Sequence, residues 1–156
     1  MIVSLTRASH RPGRVDRLVD CPRVSAVAAT DAADQKAGFS NWGANWVDVA
    51  APGQDIFSTA PTQPTKLWES TTPATVNYGT ISGTSMATPH VAGIAGLVWS
   101  TSLCRTNSCV RAQVENAADC IAGTDNSGAW GSMWAKGRVN AARAVSGLIS
   151  STKTCL

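Results

Sequence analysis

Ser85 is the residue in this sequence best placed to do chemistry. It stands in Gly83-Thr84-Ser85-Met86-Ala87-Thr88-Pro89-His90-Val91-Ala92-Gly93, a string that opens on small residues and runs into a helical pattern. Val91, Ile94, Leu97 and Val98 follow, with Ala and Gly between them. A helix apolar on nearly every side is expected to be buried. A serine at its mouth then lies at the positive end of the helix dipole, beside backbone N–H groups without helical partners. Such a place holds an oxyanion and strengthens a nucleophile. With Ser85 as N-cap, Pro89 removes only the earliest helical hydrogen bond and is tolerated. Gly93 and Gly96 each cost a helix roughly 1 kcal/mol relative to Ala, which implies close packing against their face. Serine also caps many ordinary core helices, and Gly-Thr-Ser alone would mean no more than that. The full string carries the chemical reading.

That string resembles the nucleophile motif of the subtilisin-like serine proteases, the subtilases, and within them the thermitase-like branch. The resemblance implies acyl transfer. Ser85 is the expected nucleophile and, through its own N–H, an oxyanion donor; Thr84 supports the oxyanion hole, and Met86 is the neighbour that oxidants attack in relatives. The substrate implied is a peptide or protein. The family orders its triad as Asp, His, Ser, each in its own motif. Here neither Asp-Thr-Gly nor Asp-Ser-Gly occurs, nor His-Gly-Thr-His, nor the Ala-Ala-Gly-Asn string that brings the oxyanion asparagine. Of the two histidines, His10 matches no motif and His90 belongs to the nucleophile string. His90 is five residues beyond Ser85, roughly 140° round the helix, and is read as structural. The expectation is therefore the C-terminal half of a catalytic domain, which carries the nucleophile, lacks the base and depends on the missing N-terminal half. The rival is a non-catalytic fragment. An α/β-hydrolase esterase fits poorly, because its elbow needs Gly where Ala87 stands and a histidine well after the serine.

The elements that must position Ser85 follow from local pattern. Val24 to Thr30 is a short apolar run, as expected of a buried parallel strand. Phe39 to Gly43 reads as a turn. Trp46 to Gly53 reads as a second strand stopped by Pro-Gly; with the first run it resembles the subtilase strands ahead of the nucleophile. Ile56 to Ala60 and Tyr78 to Ser82 suit a hairpin across the Thr/Pro/Ser-rich loop Pro61 to Pro73, a surface loop that could border the cleft. Val110 to Ala118 is helical, with Val110, Val114 and Ala117 or Ala118 as its stripe. Asn140 is expected to cap a last helix from Ala141 to Leu148. The fold class is α/β, a parallel sheet flanked by helices.

The resemblance runs from Cys21 to about Gly147, giving a non-matching lead at 1–20, a partial catalytic domain at 21–150 and a tail at 151–156. The lead carries Arg7, Arg11, Arg14 and Arg17 and no apolar core of a signal peptide. It is read as foreign to the protease, from a truncated or misread gene. With 156 residues, 44% hydrophobic and 15% charged, the chain is globular and large enough for one core. Its net charge of +3 marks no nucleic-acid surface, and no apolar run spans a membrane. Five cysteines leave at least one without an intramolecular partner. Cys104 and Cys109 bracket a short polar loop, and a disulfide there suits a family that is mostly secreted. Free thiols are the alternative; zinc lacks a nearby histidine or second cysteine pair.

The chemistry requires no cofactor. The resemblance also implies a weak calcium site formed by backbone carbonyls near Cys21 and Val24 with the carboxylate of Asp48. The plainer reading is that Asp48 caps or pairs.

Overall fold

The computed structural model describes residues 2–4, 25–43, 47–61, 78–121 and 136–147. Three parallel strands form the main sheet in the order β1 (Ile2–Ser4), β2 (Ser25–Thr30), β3 (Val49–Pro52). Val27 faces Val49 across the β2–β3 ladder, and Thr30 faces Pro52. Ala26 to Thr30 are all buried, on both faces of the sheet, which is why this run is continuously apolar rather than alternating. A parallel bridge between Ala50 and Arg138 continues the sheet beyond β3. The turn after β2 folds back on it: Ala37 N–H donates to the Ala29 carbonyl at 3.0 Å, and the buried Ser40 hydroxyl accepts Ala29 N–H at 2.7 Å.

β4 (Ile56–Thr59) and β5 (Tyr78–Ile81) form the expected antiparallel hairpin. Helix α1 (Thr84–Ser100) crosses all three parallel strands. It buries Ala87, Val91, Ile94 and Val98, positions that share one helical face, against Val27, Ala29, Val49 and Ala51. α2 (Asn107–Asn116) is capped by Thr106, whose hydroxyl accepts Cys109 N–H at 3.2 Å. Val110, Val114, Ala117 and Ala118 are buried, as the stripe implies. α3 (Ala141–Ser146) is capped by Asn140, which accepts Arg143 N–H at 3.0 Å, and ends at Gly147 with φ 74°. That left-handed exit favours glycine. Gln113, buried in α2, donates to the Ala144 carbonyl at 2.9 Å and ties α2 to α3. The Cys104–Cys109 disulfide is formed, with Cα atoms 5.4 Å apart. Cys120 is also disulfide-bonded.

Two expectations are corrected. α1 is not buried all round: Leu97 and Trp99 are each 53% exposed, and a Cβ on Gly93 or Gly96 would meet nothing within 4 Å. The two glycines therefore face open space rather than a packed neighbour. Ser85 is not the N-cap. Gly83 is, without a side-chain capping bond, and Ser85 falls one position inside the helix. In addition, residues 2–4 of the arginine-rich lead pair alongside β2. Among the described residues the lead contributes three strand residues, with no periodicity of its own to announce them.

Candidate active site

The loop that presents Ser85 is anchored to the ends of two strands. Gly53 N–H donates to the Thr30 carbonyl at 3.0 Å, and the Gly53 carbonyl accepts Gly83 N–H at 2.7 Å. This approach is close. A Cβ on Gly53 would sit 2.6 Å from the Ala29 Cβ and 2.8 Å from the Gly83 oxygen. Asp55 adds a second tie, since its N–H donates to the Ser82 hydroxyl at 2.8 Å. Gly53 gave no chemical signal in the sequence, and its role becomes visible only from the contact.

Ser85 is the second residue of α1 and is solvent-exposed. At this position its N–H has no carbonyl four residues back within the helix. The Met86 and Ala87 amides instead turn back to the Gly83 carbonyl, at 2.9 and 3.3 Å. Pro89 has no N–H to offer the Ser85 carbonyl, so the first turn is loosened on the Ser85 side. The result is a hydroxyl facing solvent beside an unsatisfied N–H at the positive end of a 17-residue helix. Thr84, next to it, is buried, and its carbonyl accepts the Thr88 hydroxyl at 2.9 Å.

Ser85 opens into a cleft of about 450 Å³ lined by both strands of the hairpin and by Met86, Pro89 and His90. His90 does not serve Ser85: its Nδ1 lies 3.0 Å from the Met86 carbonyl, to which it donates. No described residue makes a hydrogen bond to the Ser85 hydroxyl. His10, Cys21 and Val24 lie outside the described residues.

Asp48 is fully engaged by protein groups. Its Oδ1 accepts Arg111 Nη2 at 2.8 Å and its Oδ2 accepts Ala26 N–H at 2.8 Å. Arg111 also pairs with Glu115, one helical turn on. Burial raises the Glu115 carboxyl above its usual range, and Arg111 pulls it partly back. Among the described residues, no three His, Cys, Asp or Glu side chains cluster as metal ligands.

A family model described as the subtilase family matches residues 10–143, beginning inside the arginine-rich lead. Thermitase of Thermoactinomyces vulgaris is 51% identical over 120 residues, covering 77% of this chain and 35% of its own length. An extracellular protease of Xanthomonas campestris is 39% identical over 132 residues, covering 84% of this chain and 21% of its own. Among solved structures, fervidolysin from Fervidobacterium pennivorans, a keratinolytic enzyme related to subtilisin, superposes with a TM-score of 0.72 at 28% identity. It covers 97% of this chain and 23% of that one. The patellamide maturation protease PatA gives 0.62 at 28% identity, covering 81% of this chain and 43% of that one. The chain thus spans about a third of thermitase and less of the Xanthomonas enzyme.

Proposed function

This chain belongs to the subtilase family, and on that premise we propose that it is the nucleophile-bearing C-terminal half of a serine endopeptidase domain. The observation that carries the proposal is the seating of Ser85: exposed, second in α1, and joined to a cleft. In the proposed reaction the Ser85 hydroxyl attacks the scissile carbonyl of a peptide, and the Ser85 N–H donates to the oxyanion, with Thr84 supporting that wall. The amine then leaves and water hydrolyses the acyl-enzyme. The proton of Ser85 must pass to a base, and the residues for base, orienting acid and second oxyanion donor come from outside this chain. The exposed apolar side chains Leu97 and Trp99, on opposite flanks of α1, favour a covering segment there. We assign that segment to the part of the subtilase domain that precedes this one. The relative named as an extracellular protease supports secretion. The described helices include none long and apolar enough to cross a membrane. Calcium, if bound at Asp48 with main-chain oxygens near Cys21 and Val24, would act only on stability and would have to displace Arg111.

Residues 1–156 alone are expected not to hydrolyse peptides. A serine hydroxyl without a base is a weak nucleophile. Loss of triad members leaves only about 10³–10⁴ over water, which itself depends on the oxyanion hole, and loss of one oxyanion donor removes a further factor of about 10²–10³. The test is labelling by a fluorophosphonate probe. No labelling is expected of the chain alone, and Ser85-dependent labelling is expected once a polypeptide with the family's Asp and His motifs is added. Labelling of the chain alone that disappears in Ser85→Ala would overturn the half-domain reading. No labelling even with the added polypeptide would favour a non-catalytic fragment.

A further inference from the structure

The cleft beside Ser85 has a wall that the proposed chemistry does not use. Phe57 in β4 and Tyr78 in β5 stack with ring centroids 5.6 Å apart and planes 13° from parallel. Both stand largely in solvent, Phe57 at 67% and Tyr78 at 47% exposure. They lie on the same face of the hairpin, since Phe57 is opposite Thr80 and Tyr78 is opposite Thr59. Phe57 lines the cleft that also contains Ser85; Tyr78 braces its ring from beyond the lining. The stack limits the ring's freedom, so little side-chain entropy remains to be lost when something packs on it.

We propose that Phe57, braced by Tyr78, docks a bulky apolar or aromatic side chain of the peptide that Ser85 attacks. The proposal rests on the reading of Ser85 as a nucleophile toward peptides and names a feature of its substrate. The occupant is argued from the cleft. It is continuous with Ser85, so whatever fills it adjoins the reacting bond. Ile56, Ile81, Met86 and Pro89 supply apolar lining, and His90 is the one ionisable residue among the described lining. A basic substrate side chain would meet no carboxylate among the described lining, and an acidic one only His90, whose Nδ1 is already given to the Met86 carbonyl, whereas an apolar one gains by leaving water. A volume of about 450 Å³ lies within the range of sites that enclose small ligands, about 300–1,000 Å³. It has room for a side chain and its flanking main chain.

The test is equilibrium binding of two short peptides, identical except for Phe or Asp at one position, to the whole chain carrying Ser85→Ala. That substitution excludes turnover, so the result does not depend on whether the chain is catalytic. The Phe peptide should bind about tenfold more tightly. Phe57→Ala should weaken it about three- to tenfold, the scale of one aromatic contact, and leave the Asp peptide unchanged; Phe57→Tyr should restore the preference. Phe57 is exposed, and an unchanged melting temperature will show that Phe57→Ala still folds. Equal binding of the two peptides, no binding of either, or no effect of Phe57→Ala overturns the proposal. So does a change in self-association on Phe57→Ala without a change in peptide affinity, because the face would then contact a second copy. Peptide preference without fluorophosphonate labelling in the presence of the Asp- and His-bearing polypeptide would leave this surface standing and reject the catalytic reading.

Discussion

The Gly53 carbonyl accepts the Gly83 amide at 2.7 Å, which fixes the turn before Ser85 to the end of β3. Gly53 in turn donates to the Thr30 carbonyl at the end of β2. The position of Ser85 is thus set from two buried strands through Gly53, with the Asp55–Ser82 bond as a second tie. Side chains play no part in the Gly53 link, so it depends on how closely the backbones approach.

Gly53→Ala should therefore be costly. The added Cβ would lie 2.6 Å from the Ala29 Cβ and 2.8 Å from the Gly83 oxygen, and neither neighbour is the flexible end of a long side chain. Overpacking of this kind costs typically 1–3 kcal/mol. The expected result is a lower urea midpoint together with weaker binding of the Phe peptide, because the Gly83 loop moves. A variant with parental stability would show that Gly53 does not anchor the loop.

Thr30→Val should do the opposite. Thr30 is fully buried at the end of β2, and its hydroxyl oxygen has no hydrogen-bond partner among the described residues. A buried unsatisfied hydroxyl is costly, and its replacement by an apolar group of the same shape is neutral or stabilising. A gain of about 1 kcal/mol is expected, read as a higher melting temperature. A loss of stability would mean that the hydroxyl has a partner that this arrangement does not reveal.

How far these features could be read from sequence depended on how local their causes are. β2, β3, the hairpin and α2 follow from short apolar runs and turn residues, and Asn140 caps its helix through its own side chain. The start of α1 was harder. Gly83 caps without a side-chain bond, so Gly-Thr-Ser does not reveal that Ser85 lies one position inside. Periodicity identified Val91 and Leu97 alike as apolar. It could not say that the sheet covers Val91 while Leu97 is left exposed, because that depends on what packs there. The role of Gly53 and the Phe57–Tyr78 stack arise from contacts between segments distant in sequence, and no local pattern carries them.

Glu115 gives a pH dependence whose sign can be worked out. Burial raises its carboxyl above the unfolded value, against the pull of Arg111. The native state then holds the proton more tightly than the unfolded chain. The group's contribution to stability is fully present below the unfolded value, about 4.3, and is lost as pH rises through the raised native value. Glu115→Gln does not titrate. Its melting temperature relative to the parent should therefore rise between about pH 4 and neutrality. A difference that stays flat or falls over that window would mean that the ion pair with Arg111 outweighs burial.

The last prediction concerns calcium at Asp48. Both carboxylate oxygens already have donors, Arg111 on one side and the Ala26 amide on the other. A divalent ion would have to compete with a guanidinium that also pairs with Glu115. In the parent chain, millimolar calcium should therefore raise the melting temperature little. Arg111→Leu removes the competing cation and leaves Asp48 and Glu115 without their shared guanidinium partner, a more negative oxygen site that favours calcium. Stabilisation by a ligand grows as RT ln(1 + [L]/Kd), so a tighter site appears directly as a larger calcium-dependent shift. The variant should be less stable than the parent in chelator and should recover part of the loss on adding calcium, with magnesium less effective. Equal calcium shifts in parent and variant would show that Asp48 is not a ligand and serves only to pair Arg111.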